Sequence, residues 1–151
     1  MNFTDATRSR VEISAEADLT HNVRPLLHEI RHALQQLSQT GETHVIDLRR
    51  IPMAPGEEAR ILELLGEGEI KATLTVLGHS TIVETAYAGV WIITHYNESD
   101  EILGRFIEIT DAPAILKSQK EEIALAAAQL FKMLSADQPT KEETRNDSDQ
   151  S

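Results

Sequence analysis

From Glu69 to Ile109 the apolar residues recur at period two, with β-branched and aromatic side chains between turn signals at Gly78 to Ser80, Ala88 to Gly89 and Asn97 to Asp100. Successive side chains of a strand point to opposite faces, so this alternation predicts strands, and the short turns between them fit an antiparallel meander of three or four. In the stretch from Val90 to Tyr96, one face holds Val90, Ile92, Thr94 and Tyr96 and the other holds Trp91, Ile93 and His95. Both faces are largely apolar, which places this strand centrally, and Ile102 to Ile109 follows as its hairpin partner.

Before this stretch the period is helical. Apolar positions 23, 26, 27, 30, 33, 34 and 37 fall on one stripe, and Gly41 follows as a stop signal. Pro25 is tolerated because it sits in the first turn, where its missing N–H would have had no intrahelical partner. Residues 44–49, HVIDLR, form a further predicted strand, and Pro52 and Pro55 separate it from a second helix that starts near Pro55. That helix has Ile61, Leu62 and Leu65 as its apolar face and ends at Gly66. Val11, Ile13 and Ala15 alternate within residues 9–15, as in a short peripheral strand. Beyond Asp111 and Pro113 a helical turn carries Ile115 and Leu116, and Ser118 with Glu121 forms a capping box for a last helix. Its predicted buried stripe is Ile123, Ala127, Leu130, Phe131 and Leu134.

These elements predict one α+β domain: an antiparallel meander sheet of four to five strands packed by about three helices. A chain of 151 residues is long enough to bury such a core without staples. The domain is expected over residues 20–135, after an N-terminal segment 1–19 and before an acidic tail 136–151 predicted to be disordered. In that tail Asp137, Glu142, Glu143, Asp147 and Asp149 face only Lys141 and Arg145, with almost nothing apolar between them.

The net charge of −11 argues against nucleic acid, whose phosphates need clustered cations, and favours basic partners. With no cysteine the chain offers no thiolate and no sulfur ligand for zinc or an iron–sulfur cluster, and no cofactor is expected. The start, MNFTDATRSR, lacks the apolar core of a signal peptide, and no apolar run approaches the roughly 20 residues that span a bilayer. These features predict a cytoplasmic protein that does not enter the membrane.

Three groups of residues invite a chemical reading. In LGEGE, residues 65–69, Gly66 and Gly68 can take positive φ cheaply and so explain a helix-to-strand turn, but they do not explain Glu67 and Glu69. Paired carboxylates serve acid–base chemistry if one is buried, yet no nucleophile lies beside them in sequence, and a solvated turn is the plainer reading. His21, His28 and His32 fall within about 40° of one another at 100° per residue, forming a solvent-facing row opposite the apolar stripe. His28 and His32 at i, i+4 can share one metal ion if a third ligand arrives from elsewhere, although Arg31 beside them opposes a cation. Trp91 and His95 share a strand face and could line a recognition pocket, but aromatics in a central strand are more often core. Ser38, Ser80, Ser99 and Ser118 lie in turn or cap contexts, none in a G-x-S-x-G elbow, and P-loop and dinucleotide glycine fingerprints are absent.

Five stretches in one order, PLLHEIRHALQQL (25–37), IDLRRIPMAPGE (46–57), LGEGEIKATL (65–74), ETAYAGVWIITHYN (84–97) and RFIEITDAPAILKSQKEEI (105–123), resemble the HupH/HyaF family of hydrogenase expression and formation proteins. The resemblance is to the C-terminal conserved region of that family, whose members are considerably longer. It implies a non-enzymatic accessory or chaperone-like role in maturation of uptake NiFe hydrogenases. The implied partner is the precursor of the iron–sulfur small subunit or another maturation protein, with a homodimer through an edge strand as a further possibility. The family attaches no catalytic residue that could be carried over. Partner contact is expected at Glu67, Gly68, Glu69, Trp91 and His95, with the acidic charge suited to a twin-arginine leader. The alternative is a nickel- or iron-handling protein built on His21, His28 and His32.

Overall fold

The structure, a computed structural model, describes residues 22–138, so the strand expected at 9–15, His21 and the tail beyond residue 138 lie outside it. In chain order the elements are α1 (Val23–Thr40), β1 (His44–Asp47), α2 (Glu57–Leu65), β2 (Lys71–Thr75), β3 (His79–Glu84), β4 (Val90–Tyr96), β5 (Ile102–Ile109) and α3 (Lys120–Ala136). The chain divides into two compact units, one ending at Pro113 and the other beginning at Ala114. The expected α+β architecture of three helices and an antiparallel sheet is the one that forms.

The period-two stretch builds β2 to β5 as a meander, and β1 joins it across the outer edge of β5, giving the order β1-β5-β4-β3-β2 with every neighbouring pair antiparallel. β4 is central, as its two apolar faces require. Its register sets Val90 opposite Ile109 and Ile92 opposite Ile107 on one face, and Trp91 opposite Glu108 and Ile93 opposite Phe106 on the other.

Helices α1 and α2 cover the first face. Val23, Leu26, Ile30 and Ala33 of α1 and Ile61 and Leu65 of α2 are buried in one cluster with Ile46, Val90, Ile107 and Ile109. Each large aliphatic side chain removed from water there contributes about 1.5–3 kcal/mol. On the other face Ile82, Trp91 and Ile93 form a smaller cluster with Ala72 and Leu74 packed against it. Arg105 ties α2 to the sheet, donating to Glu58 Oε1 at 2.9 Å and to Thr94 Oγ1 at 3.0 Å. The buried Glu57 accepts the Ala54 N–H at 2.8 Å, closing the entry to α2.

Several boundaries differ from the sequence reading, each for a local reason. The strand expected over 44–49 stops at Asp47, whose carboxylate accepts the Arg49 N–H at 3.0 Å and starts a 3-10 turn, Leu48–Arg50. The turn expected at Gly78 to Ser80 is placed earlier, with Leu77 at φ +47° and Gly78 at φ +105°, and His79 and Ser80 already belong to β3. A Cβ on Gly78 would stand 2.3 Å from the Tyr96 carbonyl oxygen, so the hairpin requires glycine there. The last helix opens on a capping box of Gln119 and Glu122 instead of Ser118 and Glu121, one residue along. The stripe predicted to be buried on α3 is not buried: Ile123, Leu130, Phe131 and Leu134 are 58%, 56%, 73% and 59% exposed. Periodicity locates an apolar face but does not supply the surface that covers it.

Candidate functional site

Where α2 ends, Gly66 takes φ +66° and donates its N–H to Leu62 O at 3.1 Å. The next residues are held by backbone hydrogen bonds to the turn between β3 and β4. Ala86 N–H donates to Leu65 O at 3.0 Å, and Gly68 N–H donates to Glu84 O at 2.7 Å. Gly68 lies so close that a Cβ would sit 2.5 Å from the Thr85 carbonyl oxygen. The glycines of LGEGE thus make a backbone junction, and Glu67, Gly68 and Glu69 stand exposed around it.

Thr85 folds the same turn over. Its hydroxyl accepts the Tyr87 N–H at 3.2 Å and donates to Tyr87 O at 3.1 Å, while Val90 N–H donates to Tyr87 O at 3.0 Å. The phenol ring of Tyr87, 53% exposed, is thereby presented beside the end of α2. With Leu27 and Leu34 of α1 and Leu64 and Leu65 of α2 it lines a predominantly apolar groove of about 400 Å³, with Arg31 at its rim. Leu65 belongs both to this groove and to the acidic junction, so the exposed Glu67 and Glu69 follow the groove lining directly in the chain.

The other expected contact residues are placed differently. Trp91 is only 4% exposed and donates its Nε1–H to Thr110 O at 3.1 Å, which makes it a packing residue of the second sheet face. His95 is half-buried, its Nδ1 lying 2.7 Å from Ser80 Oγ and its ring edge-on to Phe106 at 5.7 Å. Trp91 and the junction do approach one another, because Glu84 is opposite Trp91 in the register and beside Gly68. His95 is four residues further along β4, about 13 Å away at strand rise. On the same face burial pushes the Glu108 carboxyl above its ordinary range, and a charge on His95 draws it back in part.

His28 and His32 lie exposed on α1, with His21 outside the described residues. His32 borders a cleft of about 260 Å³ with Glu29, Glu42 and His44, where His44 Nε2 pairs with Glu29 Oε1 at 3.0 Å. Among the described residues no group of three or more histidine or carboxylate side chains is gathered in a way that could hold a metal ion. No described helix is long and apolar enough to cross a membrane.

The groove is the element that sequence reasoning missed. Leu27 and Leu34 fall on the margin of the α1 stripe, Leu64 was not assigned to the apolar face of α2, and Tyr87 sits in a turn. The available signal was a stripe on α1 wider than one sheet face needs.

Residues 20–136 match the HupH hydrogenase expression protein, C-terminal conserved region. Among curated relatives, the chain is 28% identical over 130 residues to the hydrogenase expression/formation protein HupQ of Azotobacter chroococcum, covering 85% of this chain and 45% of that one. It is 29% identical over 114 residues to HoxQ of Azotobacter vinelandii, covering 72% and 39%. The chain thus spans less than half the length of these relatives. A solved structure, the hydrogenase expression protein HupH from Thiobacillus denitrificans, superposes with a TM-score of 0.74 at 38% identity, covering 78% of this chain and 98% of that one.

Proposed function

The chain belongs to the HupH hydrogenase expression protein family through its C-terminal conserved region, and from that premise we propose that it is a non-catalytic accessory protein of hydrogenase maturation that holds a client before assembly. The client of this reading is the iron–sulfur small-subunit precursor, bound in the cytoplasm ahead of export. One observation carries it: Leu65, which lines the apolar groove between α1 and α2, is followed within four residues by the exposed Glu67 and Glu69. A groove between helices accepts an amphipathic segment through apolar anchors, and adjacent carboxylates select one with a basic flank. A leader peptide that joins a twin-arginine pair to an apolar run has that chemistry.

The test is affinity capture from cells expressing a hydrogenase operon, using wild type, Tyr87→Glu and Glu67→Lys/Glu69→Lys, each checked for folding by circular dichroism. Wild type recovers the small-subunit precursor, Tyr87→Glu loses it, and the double lysine variant retains a reduced amount. A leader-deleted precursor that bound equally well at every salt concentration would remove the acidic junction from the reading. Recovery of no hydrogenase component by any variant would overturn the reading as a whole.

A further inference from the structure

Every residue of α3 is exposed, and the helix is well made: a reciprocal capping box opens it, five alanines stand within it, and its interior holds neither glycine nor proline. Ile123, Ala127, Leu130, Phe131 and Leu134 fall within an arc of about 100°. With Ile123, Leu130, Phe131 and Leu134 each more than half exposed, this face presents on the order of 500 Å² of apolar surface, near the upper limit of the largest patch a monomer ordinarily shows. Two such faces pressed together would remove on the order of 1,000 Å², the threshold for a specific interface.

Charge selects the occupant. Lys120 and Lys132 balance Glu121 and Glu122, so α3 is neutral on a chain whose net charge is −11. A second copy can therefore lay its own α3 against this one without adding to the charge repulsion between two acidic chains. The ends of the stripe are also complementary, with Lys120 at its start and Asp137 at its close.

We propose that the apolar face of α3 is a homodimer interface, in which α3 pairs antiparallel with α3 of a second copy about a two-fold axis. Centred between Ala127 and Leu130, the pair sets large against small, with Leu130 meeting the partner's Ala127. Ile123 meets the partner's Leu134, and Lys120 meets the partner's Asp137. A two-fold axis makes each contact occur twice and closes the assembly at two chains. A parallel pair would instead set Lys120 against the partner's Lys120.

Sedimentation equilibrium of the full chain at tens of micromolar tests the interface. Wild type sediments with twice the chain mass, Leu130→Glu and Phe131→Glu sediment with the chain mass while keeping their helical signal, and Lys132→Glu, on the opposite side of α3, leaves the dimer intact. Orientation is read by disulfide trapping, which the absence of native cysteine makes clean. Ile123→Cys mixed with Leu134→Cys gives an oxidised heterodimer, and Ile123→Cys alone does not. A monomeric wild type, a dimer indifferent to both glutamate variants, or self-crosslinking of Ile123→Cys as efficient as the mixture would each overturn the proposal.

Discussion

Helices α1 and α3 are both amphipathic and of nearly equal length, 18 and 17 residues, yet the apolar stripe of one is buried and that of the other is bare. On α1, Val23, Leu26, Ile30 and Ala33 are 2–7% exposed, because β4 and β5 offer an apolar face of matching width. On α3 the large apolar side chains are all more than half exposed. The difference shows that an apolar stripe states a demand for burial and leaves open whether the same chain or another one meets it.

The largest effect that separates the two helices is expected from truncating one stripe and then the other. Ile30→Ala should destabilise the fold by about 2–5 kcal/mol, as deletion of a buried aliphatic side chain does. Leu130→Ala, measured in denaturant at concentrations dilute enough for the chain to be monomeric, should stay within about 0.5 kcal/mol of wild type. Comparable losses would abolish the distinction.

The second perturbation acts where α2 is joined to the sheet. Gly68→Ala places a methyl group against the Thr85 carbonyl and should cost about 1–3 kcal/mol through forced backbone movement. Its effect in chemical denaturation separates the junction from the charges around it, since Glu67→Gln and Glu69→Gln should leave stability almost unchanged. If Gly68→Ala proves neutral, the close approach of the two turns is wrong.

The smallest effect concerns the second sheet face. Burial raises the folded-state pKa of Glu108 above its ordinary value of 4.5. Between those two values the folded state binds more protons than the unfolded one, so this group contributes a loss of stability as pH rises through the window. Below the window the carboxyl is neutral in both states and the penalty vanishes. Glu108→Gln should therefore melt slightly higher than wild type at pH 7, with the gain disappearing near pH 4. A gain independent of pH would point to packing instead.

What the sequence disclosed follows the same division. The centrality of β4 was legible because two apolar faces on one strand permit no edge position, and α1 because seven positions share one period. The glycine stop after α2 was legible from Gly66, although the role of Gly68 was not: nothing in LGEGE says that Thr85 and Glu84 lie against it. Trp91 and His95 were correctly placed on one face, but the burial of Trp91 depends on Thr110, nineteen residues away, and the pairing of His95 depends on Ser80 across a strand. The groove was invisible because it is made from the margins of two helices and the tip of a turn, each unremarkable alone.

The placement of β1 also sets an order of events. Among the described residues its one partner in the sheet is β5, with His44 opposite Ile109, so the first described strand must wait for the last. At a synthesis rate of about 5–20 residues per second, roughly 3–13 s pass between the emergence of these two segments from a ribosome. During that interval the meander can form progressively by hairpins, while Ile46 and the α1 stripe have no complete surface on which to settle. Closure of the first unit is therefore a late, long-range step, and a chain truncated before Ile109 would hold its first helix and strand ready without a place to put them.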